Sequence, residues 1–153
     1  MQKVLFIFFL SLLILGCGSL TESTDPLGIG SASIEIEGES CSGYSYFTTE
    51  KIGEFNFKTI VIDIDDSTRI EIQKESFDEG IYTLGLYENL IVTVTYRYES
   101  FHYAEKGFLF LKTVNSYQII GEFNMVTRNA ISSCSNCPED RMFVRGKFNA
   151  IIP

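Results

Sequence analysis

Four cysteines and one histidine are the side chains of this 153-residue sequence best suited to covalent, redox or metal chemistry. Cys134 and Cys137 have the Cys-x-x-Cys spacing found in redox-active dithiols and in zinc sites. A redox pair of the thioredoxin type needs a helix N-terminus to lower the pKa of its thiol, and the surrounding sequence predicts no helix. A tetrahedral zinc site needs four ligands, whereas the domain offers three thiols and one histidine. We therefore favour a structural disulfide over a metal or redox centre.

The partners in that disulfide are not fixed by the sequence. One bridge and one remaining thiol are expected among Cys41, Cys134 and Cys137, and all three pairings stay open. A bridge from Cys41 would close a loop of about ninety residues and stabilise the fold by about 4 kcal/mol in the chain-entropy model. A bridge between Cys134 and Cys137 would only stiffen the loop that contains them.

Other residues give weaker chemical signals. His102 is the only histidine, so any Ser-His-Asp or Cys-His site would need it, but no Gly-x-Ser-x-Gly motif accompanies it. We expect His102 to be an exposed loop or edge residue. Asp63, Asp65 and Asp66 could attract calcium, yet they lack the glycine and distal glutamate of an EF-hand and are expected to form a solvated hairpin turn. No catalytic residue, metal or cofactor is predicted, and we expect the protein not to be an enzyme.

Aromatic residues are concentrated in the central third of the chain. If several project into a barrel mouth or onto one sheet face, they could bind a sugar, a peptide or an apolar ligand. If they point inward, they belong to the core, which is the interpretation we favour. The candidate ligand-binding residues are Tyr82, Tyr96, Tyr98, Phe101 and Tyr103.

The N-terminus has the pattern of a lipoprotein signal. Residues 1–16 contain one lysine, an apolar run too short to span a bilayer comfortably, and a final glycine, which together indicate a secretory signal peptide. Ile14-Leu15-Gly16-Cys17 fits a lipobox, although Leu is commoner than Ile at its first position and Leu15 is larger than usual. Cys17 is therefore the predicted site of lipidation, and several acyl chains would anchor the protein firmly to a membrane.

The segments after Cys17 predict a tether and one domain. Residues 17–30 are small and polar, as expected of a flexible tether, and residues 31–153 suit a single domain. Removal of Lys3 with the signal leaves 11 basic and 20 acidic residues, a net charge of −9, which disfavours nucleic-acid binding. We expect the domain at the outer membrane or another cell-envelope membrane, on its periplasmic or surface face.

The domain itself reads as a succession of strands. Period-two alternation, β-branched residues and turn signals every 8 to 12 residues predict an all-β fold. We expect a β-sandwich or flattened barrel of about 8–10 strands, joined mostly as an antiparallel meander. The expected strands are 33–37, 44–47, 55–63, 69–73, 81–86, 90–98, 107–114, 117–127 and 142–152.

A Gly-x-Phe-Asn-apolar string occurs three times, beginning at Gly53, Gly121 and Gly146. On a strand, the glycine and the phenylalanine would face one side, and the charged residue and asparagine the other. The spacing is irregular, so the strings do not define a solenoid. Reuse of similar residues by similar strands explains them better than a remnant duplication.

Three short strings also resemble a group of small lipoproteins of unknown function from Bacteroidota-type bacteria. They are Ile34–Ser40, with an apolar-polar strand ending in Gly-x-Ser; Gly80–Gly85, with Gly-x-Tyr-x-Leu-Gly; and the pair Gly121–Met125 and Gly146–Ala150. Where the group often has an aromatic residue after Gly-x-Ser, this chain has Cys41. The resemblance implies an all-β domain and no catalytic residues.

Taken together, these patterns predict a lipid-anchored cell-envelope protein with a non-enzymatic binding or structural role. Its partner, beyond the membrane itself, would be a protein, a glycan or a small apolar ligand. A lipocalin-like carrier of an apolar ligand is the first alternative, and a hydrolase or a thiol or metal protein is the second.

Overall fold

The computed structural model describes residues 27–86, 88–98, 100–131 and 140–153. Within these residues there are nine strands, and no helix there is long and apolar enough to cross a membrane. The strands are β1 (Ser31–Ile36), β2 (Glu39–Ile52), β3 (Phe55–Asp65), β4 (Thr68–Lys74), β5 (Gly80–Gly85), β6 (Ile91–Tyr96), β7 (Ser100–Val114), β8 (Gln118–Asn129) and β9 (Arg141–Ile151). The predicted signal peptide, Cys17, Cys134 and Cys137 lie outside the described residues.

The strands form an all-β fold in which eight of them close into an antiparallel barrel. Their order around the barrel is β1, β2, β3, β4, β6, β7, β8 and β9, and β9 pairs back with β1. The predicted all-β class is confirmed, and the closure decides for a barrel over an open sandwich. Eight strands enclose an interior just wide enough to be filled by side chains, and closure pairs the first and last strands, which would be the free edges of an open sheet.

The fifth strand departs from a simple meander. β5 pairs with the second half of β7, from Gly80 opposite Leu111 to Gly85 opposite Lys106, whereas β6 pairs with the first half. The connection between β4 and β5 places Phe77 in the core, where its ring meets that of Tyr82 edge-on at 6.4 Å. β5 and this connection thus continue the wall where β6 ends.

Inward-facing residues of the eight barrel strands pack the interior. Two of the Gly-x-Phe strings explain the packing between β8 and β9. Gly121 on β8 lies opposite Phe148 on β9, and Phe123 lies opposite Gly146. Both rings are buried, with centroids 6.4 Å apart. Each glycine leaves room for the phenylalanine of the other strand, so the two strings form a reciprocal pair of small and large residues. The string at Gly53 has a different role, because Gly53 lies in the β2–β3 turn with a φ of 63°.

The two ends of the barrel differ. At the end that we call the tether end, the chain enters β1, β2 turns into β3, and β9 finishes. The Asn149 side chain secures this entrance: its Nδ2 donates to the Leu27 carbonyl at 3.1 Å, and its Oδ1 accepts from Gln118 Nε2 at 2.6 Å. Residues 27–30 of the predicted tether are therefore docked on the barrel. The opposite end, the loop end, holds the β1–β2 and β3–β4 turns, Arg97 and Tyr98 after β6, the end of β8 and the start of β9.

Candidate functional site

The five aromatic candidates do not form one cluster. Tyr82 and Tyr96 pack against the core from β5 and β6, and the Tyr82 hydroxyl bonds to the backbone of Asp78. Tyr98 lies exposed in the β6–β7 turn at the loop end. Phe101 and Tyr103 remain on the outer face of β7, and Phe101 is 43% exposed. Only Phe101 lines the depression described next.

A depression of about 410 Å³ lies on the outer face of the barrel, across five neighbouring strands. Strand register explains why its residues meet. Tyr46, Val61, Glu71 and Thr93 are successive partners from β2 to β6, and a second row lies beside them. The lining residues are Tyr46, Thr48, Glu50, Thr59, Val61, Arg69, Glu71, Gln73, Ile91, Thr93 and Phe101.

Side-chain length gives the depression its shape. The outer surface of a barrel is ordinarily convex, but here the short side chains of Thr59, Val61 and Thr93 form a floor between longer neighbours such as Tyr46 and Phe101. Val61 points away from the barrel interior and is still only 4% exposed. A floor of short β-branched side chains beneath a mixed polar and aromatic rim, all on paired strands, gives a concave surface in which a small ligand can lie.

Charges at the rim are largely satisfied within the protein. Arg69 Nε donates to Asp63 Oδ1 at 2.5 Å, and Arg69 also approaches Glu71 at 3.9 Å. The bond to Asp63 raises the pKa of Arg69, while burial, together with the Asp63 carboxylate, raises the pKa of Tyr46. With Glu50 and Glu71 also in the lining, the depression carries no surplus positive charge. Its chemistry therefore suits a neutral or cationic ligand better than an anion.

His102 lies in the barrel interior rather than at an exposed edge, so the expectation of an exposed residue is wrong. It is 6% exposed, and its Nδ1 is 3.5 Å from the hydroxyl of Thr127, which donates to the Met142 carbonyl at 3.3 Å. Burial lowers the pKa of His102, and the Asp140 carboxylate offsets this in part. The imidazole faces inward, away from the depression, because it alternates with Phe101 and Tyr103 along β7.

The three aspartates near residue 65 lie at a hairpin turn, as expected: Asp63 and Asp65 end β3, and Asp66 lies in the turn itself. Asp65 Oδ1 accepts hydrogen bonds from the backbone N–H and the hydroxyl of Ser67, both at 2.7 Å. These bonds lower the pKa of Asp65. Asp63 faces Arg69 across the hairpin instead of joining a carboxylate cluster.

Cys41 is half-buried on β2, opposite Ile34 of β1. Because Ile34 is fully buried, this register places Cys41 on the inward side of the sheet, near the loop end. Ile34 also pairs with Gly146 on β9, so β1 lies between Cys41 and β9 at this level of the barrel. The disulfide stays a prediction.

Sequence reasoning identified one residue of the depression and missed the rest. The missed residues carried a signal in their alternation, since Thr59, Val61 and Asp63 share one face of β3, and Arg69, Glu71 and Gln73 share one face of β4. Which faces come together depends on register between strands, which alternation within one strand does not determine.

Comparison with known proteins adds no family assignment. No protein-family model matches the chain, and no curated protein and no solved structure matches it.

Proposed function

We propose that this chain is a lipid-anchored cell-envelope protein whose barrel binds a ligand through its outer face, without catalysis. Anchoring is supported by the lipobox that ends at Cys17 and by the resemblance to small Bacteroidota-type lipoproteins. The barrel begins at Ser31, which leaves a short segment between the lipid and the folded domain. The binding role is supported by one observation above all: the depression that five paired strands form around Val61.

A neutral, hydroxyl-rich ligand suits this depression best, and we assign it to the saccharide class. Phe101 and Tyr46 offer ring faces on which a sugar ring can pack. Threonine hydroxyls, Gln73 and the carboxylates provide donors and acceptors for sugar hydroxyls. The salt bridge between Arg69 and Asp63 removes the free cation that an anionic ligand would need.

The position of His102 supports the non-enzymatic part of the proposal. A catalytic site built on the one histidine of the sequence could not use the depression, because His102 lies buried in the interior on the opposite side of β7. Binding alone, by contrast, needs only the rigid outer face.

The lipocalin-like alternative places its ligand inside the barrel. A closed eight-stranded barrel is compatible with that role. The described inward side chains from all the barrel strands are packed into one core, and Ile60, Ile70 and Leu109 in it are fully buried. An internal ligand would therefore have to displace packed side chains, which is why the outer face is the site that we favour.

A saccharide array with a matched pair of variants tests the proposal. The mature protein, held in mild detergent, is applied to an array of bacterial envelope saccharides, and affinities for those bound are measured by titration. Phe101→Ala should weaken binding about tenfold, because loss of one ring contact costs about 1.4 kcal/mol. Phe108→Ala is the control: Phe108 also lies on β7 and is 42% exposed, but it is not part of the depression. Binding that both substitutions weaken equally, or no binding to any saccharide, would contradict the proposal.

A further inference from the structure

The β2–β3 hairpin projects beyond the barrel at the tether end. β9 reaches β2 only as far as Tyr46, and β4 reaches β3 only as far as Lys58. Beyond these points the hairpin continues with the pairs Glu50–Phe57, Lys51–Asn56 and Ile52–Phe55. Among the described residues, these last three pairs have no neighbouring strand on either side. The hairpin tip is thus a two-stranded extension that the barrel itself does not need for closure.

The tip has two unlike faces. Phe55 and Phe57 are two residues apart on β3, so they share one face, and their ring centroids are 6.5 Å apart. Phe55 is 59% exposed although it belongs to a folded strand. Strand pairing places Glu50, the partner of Phe57, at the barrel-side border of the same face, and Lys51 and Lys58 on the opposite face. Aromatic rings on one side and lysines on the other are typical of elements that lie at the boundary between lipid headgroups and acyl chains.

Charge also favours this part of the molecule as the one nearest a membrane. The mature chain carries a net charge of −9, which repels anionic headgroups. Residues 50–58 contain two glutamates and two lysines and are neutral overall. The carboxylates of Glu54 in the turn and of Glu50 beside Phe57 limit insertion to the headgroup region, since burial of a charge in the acyl region is costly.

The chain lengths are compatible with simultaneous contact by the lipid and the tip. β2 runs from Tyr44, the partner of Ser31, to Ile52, which is about 26 Å of strand at ~3.3 Å per residue. From Leu27 back to Cys17 the chain has ten residues, which reach at most about 35 Å when extended. A lipid on Cys17 and the hairpin tip can therefore reach the same bilayer surface.

We propose that the tip of the β2–β3 hairpin, through Phe55 and Phe57, contacts the surface of the phospholipid bilayer that holds the anchor. This inference rests on the proposed lipid anchoring, and it adds an orientation: the tether end faces the membrane and the loop end faces away. The occupant of the aromatic face is lipid, not a second protein.

Tryptophan substitutions provide the test, because the natural sequence contains no tryptophan. Mature lipidated protein with Phe55→Trp is reconstituted into phosphatidylethanolamine and phosphatidylglycerol vesicles, with or without bromine on the acyl chains. Its emission should shift to shorter wavelength on reconstitution and fall at least about twofold with the brominated lipid. The control is Tyr98→Trp, at the loop end, where the side chain is 73% exposed. Its emission should be unaffected by bromine.

Palmitate incorporation into the same samples separates the two proposals. Lipidated protein whose Phe55→Trp emission is no more quenched than that of Tyr98→Trp would overturn the orientation and leave the anchor standing. Protein without lipid whose Phe55→Trp emission is still quenched when vesicles are added would overturn the anchor alone. Absence of both palmitate incorporation and quenching by brominated lipid would overturn both the anchor and the orientation.

Discussion

Gly121→Ala adds one methyl group at a crowded point between β7, β8 and β9. A Cβ at Gly121 would lie 2.8 Å from Leu111 Cδ2, from the Phe110 carbonyl oxygen and from Phe148 Cζ. Comfortable carbon contacts begin at about 3.5 Å, so each neighbour would have to move by about half an ångström or more. The Leu111 and Phe148 side chains can move by that distance. The Phe110 carbonyl cannot move as easily, because it belongs to the backbone of a paired strand.

The expected net cost follows from two opposing effects. Overpacking of a core costs about 1–3 kcal/mol. Replacement of glycine by alanine also lowers the entropy of the unfolded chain, which stabilises the fold by about 0.4–1 kcal/mol. We therefore expect Gly121→Ala to lower the free energy of unfolding by about 1–2 kcal/mol.

Urea denaturation followed by far-ultraviolet circular dichroism measures this change. With a urea dependence of about 1–3 kcal/mol per molar, the midpoint should fall by roughly 0.5–1 M. Gly85→Ala is the matched control, since a Cβ there meets its nearest atom, the Glu105 carbonyl oxygen, at 3.5 Å and fits without displacement. Equal midpoints for the two variants would refute the reciprocal packing of the Gly-x-Phe strings.

Three further outcomes follow from the described geometry. Because burial lowers the pKa of His102, the unfolded chain takes up its proton at higher pH than the folded chain does. Stability should therefore fall as the pH drops below about 6.5, and His102→Gln should reduce the difference in Tm between pH 7.5 and pH 5.5; an unchanged difference would contradict the role of His102. Asn149→Ala should lower the free energy of unfolding by about 1–3 kcal/mol, because Gln118 and the Leu27 carbonyl lose their hydrogen-bond partner. Amide hydrogen exchange at residues 28–30 should become faster. Unchanged exchange would show that other contacts hold the chain where it enters the barrel. Mass analysis of exported protein without reductant should find one disulfide and one free thiol among Cys41, Cys134 and Cys137. Three free thiols would disprove the predicted disulfide.

Much of the fold could be predicted from alternation, because a barrel strand must present apolar residues inward at every second position. β4 illustrates this success: Ile70 and Ile72 are buried, and Arg69 and Glu71 face outward. The start of β7 was less predictable. A bulge between Ala104 and Lys106 changes the alternation, so the sequence reads as a strand from Gly107 onward, although β7 begins at Ser100.

The burial of His102 and the position of the site could not be obtained in the same way. His102 shares its parity with Ala104, which would have indicated an inward side chain had β7 been extended to Ser100. The depression depends on the register that aligns Tyr46, Val61 and Glu71 across three strands. That register results from closure of the whole barrel, a nonlocal property that no single strand encodes.

The anchor at Cys17 is the claim on which the cellular role of this barrel depends, and metabolic labelling tests it most directly. Cells that produce the full chain are grown with labelled palmitate, and the protein is isolated and counted beside a Cys17→Ala variant produced at the same level. We predict label in the natural protein and none in the variant. Equal labelling of the two proteins, or none in either, would contradict lipid attachment at Cys17.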